Sequence, residues 1–276
     1  MNLVRAELFK IRSTSLWWIF GLLLIPLWAA SFLLNWASEH FLLSDAATNG
    51  GGGGPRADQV DAARQAVSVA ANLYTSGQYI GILLVLLLSA IVVTNEFFHL
   101  TATSTFLVTP RRSHVIAAKF AAAILVGLAV WALTTVLNLI FAPLILHQLG
   151  VGVQLGAAGV WRAIGLNALA YLLWAVLGVG FGVLIRSQIA ATLVLSISYV
   201  IGATAVNIVF SLLANNVARW IEKLEVLVPT TASQLMISGT EVPGNPPRWV
   251  GAVVLIGYAV VTGAVGTLLT RRRDIS

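Results

Sequence analysis

The sequence predicts an all-α polytopic membrane protein with six transmembrane helices and both termini in the cytoplasm. Three observations predict it. Of 276 residues, 58% are hydrophobic and only 9% are charged, whereas a soluble domain carries about 25% charged residues. Six continuous apolar runs are each long enough to cross a hydrocarbon layer of about 30 Å, which takes roughly 20 helical residues. Basic residues gather on one side of those runs.

The runs are Leu16–Ala37, Gly77–Thr94, Phe120–Leu146, Ala163–Ile185, Ile189–Ala214 and Trp249–Thr270. They are continuous rather than alternating, which argues against a strand-based barrel. An even number of spans puts both termini on one face. That face carries ten basic and three acidic residues, against six and seven on the other. The basic set is Arg5, Lys10, Arg12, Arg111, Arg112, Lys119, Arg186 and Arg271 to Arg273, so by the positive-inside rule it lies in the cytoplasm. The net charge of +6 is thus a matter of membrane orientation, with no nucleic-acid partner implied. Trp17, Trp18, Trp36, Trp161, Trp220 and Trp249 fall near span ends, where an amphipathic ring suits the headgroup layer. Trp131 and Trp174 fall mid-span and are read as packing residues.

Residues 1–15 precede the first span. Val4, Leu8 and Ile11 share one stripe of a helix, with Arg5, Lys10 and Arg12 elsewhere. Such a helix lies in the membrane interface, either as an anchor or as a lever touching a cytoplasmic partner. Its basic residues also resemble the start of a signal peptide. The apolar run that follows exceeds the about 7–15 residues of a cleavable one, so it is read as a retained span.

The first outer connection, 38–76, holds Gly50–Gly54 and Pro55, a flexible joint. Within it residues 58–74 are read as a helix, with Val60, Val67 and Tyr74 at heptad spacing. The cytoplasmic connection 95–119 is the most informative. Phe97, Leu100, Ser104 and Leu107 share a helical face, and Pro110 ends it. An apolar patch there wants a partner groove or the bilayer surface, and Arg111 and Arg112 suit lipid phosphates. Three residues, Arg186 to Gln188, join spans four and five and make them antiparallel neighbours. The last outer segment, 215–248, reads as a helix, a break at Pro229 and a second helix. Thr231–Ser238 is too short to span and is expected to dip into the outer leaflet.

The six predicted spans contain no Asp, Glu, Lys, Arg or His. Ion-coupled pumps usually need an ionisable group at membrane depth, which disfavours secondary transport. A sodium-coupled carrier built on carbonyls and hydroxyls stays open. The chain has no His-Glu-x-x-His, no Gly-x-Ser-x-Gly and no Walker sequence, so neither an enzyme nor a nucleotide site is expected. Four scattered histidines and the absence of cysteine leave no metal set. Polar side chains within the spans do line up. Ser196, Thr204, Asn207 and Ser211 fit one stripe of span five, Asn167 and Tyr171 one of span four, and Asn138 follows Thr134 in span three. They are read either as interhelical hydrogen bonds, worth about 0.6–2 kcal/mol each, or as the lining of a substrate path. Gly178, Gly180 and Gly182 are read as close-packing positions.

The connection after span two resembles that of ABC-2 type transporter permeases. Glu96-Phe97, Thr101, Thr105, Leu107, Pro110 and Arg111 stand where that family shows an acid and an aromatic, threonines, a leucine, a proline and an arginine. Leu100 stands where a glycine is common. The resemblance extends to the interfacial N-terminal helix, the six spans and the outer segment before span six. It implies a domain order of connecting helix 1–15, then a six-span domain 16–276 with a coupling loop 95–113 and a re-entrant segment 215–248. It also implies a second permease subunit and a separate ABC ATP-binding subunit, which would bind ATP and Mg. The implied coupling residues are Glu96, Phe97, Leu100, Thr101, Ser104, Thr105, Leu107, Pro110 and Arg111. The expected function is ATP-driven efflux of an amphipathic or lipid-like substrate or drug across the cell membrane. The alternatives are a non-transporting scaffold or sensor that recruits a cytoplasmic partner, and the sodium-coupled carrier.

Overall fold

A computed structural model describes residues 2–48, 61, 65–99, 112–185, 187–241 and 245–272. All regular structure among them is helical. In chain order the helices are α1 (Asn2–Ser13), α2 (Leu16–Thr48), α3 (Ala66–Tyr74), α4 (Gln78–Phe98), α5 (Arg112–Gln148), α6 (Ala158–Ile185) and α7 (Gln188–Ile197). A π turn (Ser198–Gly202) joins α7 to α8 (Ala203–Asn216). A 3-10 segment (Arg219–Leu227), α9 (Pro229–Ile237) and α10 (Arg248–Arg272) complete the chain. Six stretches are long and apolar enough to cross a membrane: Leu16–Ser44, Ala66–Phe98, Ser113–Gln148, Ala158–Ile185, Gln188–Asn216 and Arg248–Leu268. Each coincides with one of the six expected spans.

The helices outrun several of those spans. Hydropathy marks only the apolar middle of a helix, and backbone hydrogen bonding carries the helix on into amphipathic ends. The clearest case is α3. Its expected place was in an outer connection, yet it stacks on α4 and joins the second crossing stretch. Val67 packs against Gly159, and Tyr74 is buried, its hydroxyl donating to the Val153 carbonyl at 3.0 Å. Val60 lies outside the described residues. Gly77, with φ +80°, separates α3 from α4, and a Cβ there would sit 2.7 Å from Trp28 Cδ1. Only glycine adopts that backbone at no steric cost.

At the centre α4 and α6 run side by side. In a hydrocarbon layer lipid is as apolar as leucine, so helices associate by close packing and hydrogen bonds. Glycines permit that approach. A Cβ at Gly178 would strike the Leu86 carbonyl, and one at Gly182 would lie 2.8 Å from the Ala90 carbonyl. Gly180 faces the other way, 2.7 Å from Thr262 Cβ of α10 by the same measure. All three glycines thus stand at helix contacts.

The segment before α10 reaches the middle of the bundle. The Tyr258 hydroxyl, midway along α10, donates to the Leu227 carbonyl at 3.2 Å. The Trp174 indole, midway along α6, donates to Ser233 Oγ at 2.7 Å. From there α9 climbs back until Gly239 meets Gly159 at the start of α6. Pro229 is the first residue of α9, where its missing N–H costs nothing. It begins the second helix as well as ending the first.

Gly178→Ala is expected to destabilise the protein by about 1–3 kcal/mol, the usual range for overpacking, because the carbonyl it meets belongs to a helix backbone. Gly165→Ala, where a Cβ meets nothing within 4 Å, is expected to be neutral. Thermal unfolding in detergent separates the two.

Candidate functional site

α1 is amphipathic and lies across the ends of α2, α4 and α5. Ile11 is buried, Val4 and Leu8 are half-buried, and Arg5 and Arg12 are exposed. The Ser13 and Thr14 hydroxyls turn back on the carbonyls of Lys10 and Ile11. They take up acceptors that the last turn of α1 leaves free.

Glu7 sits on the inward face of this helix, 4% exposed. It meets two lysines, which a second carboxylate shares. Lys119 donates to Glu7 Oε2 at 2.8 Å and pairs with Glu96 Oε1 at 2.8 Å. Lys10 donates to Glu7 Oε1 at 2.8 Å and to Glu96 Oε1 at 2.6 Å. Each lysine touches both carboxylates, so the four side chains form a closed, neutral junction. Glu7, Glu96 and Lys119 are buried, while Lys10 is half in water. Buried charges persist only when paired and hydrogen-bonded, and here every one is. Burial pulls the Lys10 ammonium down, but its hydrogen bonds to Glu7 and Glu96 outweigh this and hold it above its ordinary 10.5.

The junction joins α1 to the end of α4 and the beginning of α5, the two helices that flank the connection 99–111. A cleft of about 360 Å³ opens beside it, with Glu7, Lys10 and Glu96 on its wall among apolar side chains such as Ile11, Leu16 and Val92. Of the expected coupling residues, Glu96 lies in the junction and Phe97 packs against the main apolar core. Leu100, Thr101, Ser104, Thr105, Leu107, Pro110 and Arg111 lie outside the described residues. Glu7 drew no role from the sequence. The signal was there: it falls between Val4 and Ile11 on the apolar stripe, and an acid in that place needs a cation.

The seven polar span residues do not converge. Asn138 is a clamp: its Oδ1 accepts from Trp28 Nε1 at 2.8 Å, and its Nδ2 donates to the carbonyls of Tyr74 and Ser76, both at 3.0 Å. Those carbonyls are freed where the chain breaks between α3 and α4. Asn167 and Tyr171 are buried one turn apart on α6, with the Tyr171 hydroxyl against Gly81 and beside Thr134. On the fifth crossing stretch the π turn inserts between Ser196 and Thr204. It rotates everything after it by roughly 100°, one residue's worth of helix. Thr204 and Ser211 are exposed, Ser196 is half-buried, and Asn207 accepts from Thr231 at 3.3 Å. No group of three or more His, Cys, Asp or Glu that could hold a metal occurs among the described residues.

Fold and junction together define a multi-pass helical membrane protein. Residues 53–276 match the family described as Protein of unknown function (DUF2705), and the chain belongs to it. No curated protein matches.

Lys119→Ala would leave two buried carboxylates short of a cation and is expected to cost about 3–5 kcal/mol. Lys10→Ala, half solvated, should cost under about 1 kcal/mol. The chain has no native cysteine, so a single Leu8→Cys reports the docking of α1. Its maleimide labelling should rise in the Lys119→Ala background and barely change with Lys10→Ala. The Lys10 contribution is present in full below 10.5 and is lost as pH rises through its higher folded value. Thermal stability should therefore show no loss from this group between pH 7 and 10 and should begin to fall above 10.5.

Proposed function

We propose that this protein is the membrane-spanning permease subunit of an ATP-driven exporter of the ABC-2 type. In this reading it sits in the cell membrane with both termini in the cytoplasm. It pairs with a second permease subunit and docks a separate ABC subunit that binds ATP and Mg. The connection 95–113 seats in that ATPase, with Leu100 and Leu107 as its apolar contacts. The 219–237 segment re-enters from the outer side.

One observation carries the reading. The buried junction of Glu7, Lys10, Glu96 and Lys119 ties α1 to both helices that flank the connection. Force applied to that connection therefore reaches three helices at once. A loop that merely recruited a partner has no need of such a clamp, and the clamp disfavours the scaffold reading. The apolar layer supplies further support. The junction's charges lie at one end of the bundle, and the predicted spans hold no ionisable acid or base to couple an ion gradient. Work then has to come from a partner.

Affinity purification of the tagged chain from its native membrane, after mild crosslinking, is expected to recover an ATP-binding polypeptide. Leu107→Glu should abolish that recovery while membrane insertion persists. Glu96→Gln should keep the partner but lower ATP-dependent efflux from reconstituted vesicles at least fivefold. Recovery of no ATP-binding polypeptide, or efflux unchanged by Glu96→Gln, would overturn the reading.

A further inference from the structure

Beside the paired α4 and α6 lies a cavity of about 480 Å³. Its walls come from Leu86 of α4, Trp174 and Phe181 of α6, the π turn, the start of α8 and the chain leading into α9. The volume falls within the range that holds a drug-sized molecule. The walls are held in place. The Trp174 indole is fixed by Ser233 and meets the Tyr199 ring edge-on at 5.1 Å. The Tyr199 hydroxyl is in turn fixed on the Tyr79 carbonyl at 2.7 Å. Gly202 lines the cavity, and a Cβ there would meet nothing closer than 3.8 Å.

Ser198, Tyr199 and Tyr258 reach this largely apolar space, the two tyrosine hydroxyls already donating to carbonyls, and further donors gather at the start of α9. Pro229 and Thr230 open α9, and both line the cavity. The first N–H groups of a helix have no acceptor within it, and among the described residues no backbone acceptor reaches those of Thr230 and Thr231. Thr230 is 7% exposed and lines the cavity, with no side-chain hydrogen bond to another of the described residues. In the interior of a protein such groups are normally paired. Unpaired donors at the wall of an apolar cavity point to a ligand that brings an oxygen. No Asp, Glu, Lys, Arg or His lines the cavity, so an ionised group would sit there uncompensated, far costlier than a neutral one.

We infer that this cavity binds a neutral lipophilic molecule bearing a single hydroxyl or carbonyl. Its oxygen takes the N–H groups and the Thr230 hydroxyl at the start of α9. Its apolar body lies against Trp174, Phe181 and Phe210. As the cargo site of an exporter this rests on the permease reading. As a binding site it stands alone, because equilibrium binding needs neither ATP nor a partner.

The test uses the full chain in lipid nanodiscs and a photoreactive octanol carrying a diazirine. Adducts are expected on the peptides holding Trp174 and Thr230. Free octanol should suppress them about tenfold more effectively than octane or octanoate at equal membrane mole fraction, the discrimination expected of a good hydrogen bond. Thr230→Val keeps the shape and removes the hydroxyl, and should erase most of octanol's advantage over octane. Gly202→Leu should fill the cavity and abolish the adducts. Where Gly202→Leu fails to fold, by circular dichroism and gel filtration, the wild-type competition and Thr230→Val decide alone. Adducts spread over the lipid-facing helices would overturn the proposal, as would equal suppression by octane. Loss of ATP-driven transport with this binding intact would count against the permease reading only.

Discussion

Two carboxylates and two ammonium groups meet where α1 crosses the ends of α4 and α5, three of them out of water. None of the three buried charges is tolerable alone, and each is neutralised by residues from a different part of the chain. The geometry of that end of the bundle follows from this. Glu7 reaches Lys119 across 112 residues of sequence, and Lys10 reaches Glu96 across 86. Helix α1 cannot slide along the bundle without breaking one of these pairs. The opposite end is held in another way. There an asparagine amide, an indole and freed carbonyls do the joining, with Asn138 at their centre and Asn72 donating to Glu39 nearby. Neutral amides break and reform at modest cost, whereas a buried ion network does so only at high cost.

Among the described residues the helices are interrupted at Gly77, at the π turn and before α9, and each interruption frees backbone groups that hydrocarbon cannot satisfy. The break at Gly77 releases carbonyls that Asn138 takes up. The π turn has tyrosines on both sides, with Tyr199 donating to the Tyr79 carbonyl and Tyr79 facing the Tyr199 carbonyl at 3.5 Å. The start of α9 has no such answer from the described residues.

Much of the architecture was legible in the sequence. A run of twenty apolar residues leaves little choice but a helix, and all six expected spans coincide with helices. What escaped is physically different in kind. A π turn adds a single residue and leaves no compositional trace, yet it undid the polar stripe from Ser196 to Ser211, which assumed an unbroken helical period. Helix α3 was legible as a helix within 58–74, but its composition, milder than the spans around it, pointed to an outer connection. Its burial comes from tertiary neighbours such as Gly159 and Val153. Glu7 was counted as a charge, though its position among Val4, Leu8 and Ile11 already set it on the buried face. In the junction itself Glu96 and Lys119 were both legible as span-end charges. That they share partners required the fold.

The packing also divides the bundle into a stiff part and a compliant part. Along α4 and α6 the contacts are glycine against backbone, which cannot be loosened by turning a side chain. Glu96 belongs to α4, so the ionic junction and the α4–α6 pair form one continuous solid unit. The stretch from Gln188 to Asn216 is different: most of its surface faces outward, and it is interrupted by the π turn. The cavity lies along the seam between these two parts, with Trp174 and Leu86 on the stiff side and Ser198, Gly202 and Phe210 on the compliant side. A displacement applied at the junction would carry α4 and α6 together, and the Tyr79–Tyr199 hydrogen bonds would pass it on to the fifth crossing stretch. The ionic junction and the cavity thus share α4, with Glu96 in the one and Leu86 on the wall of the other, so the two are linked through a single packed helix.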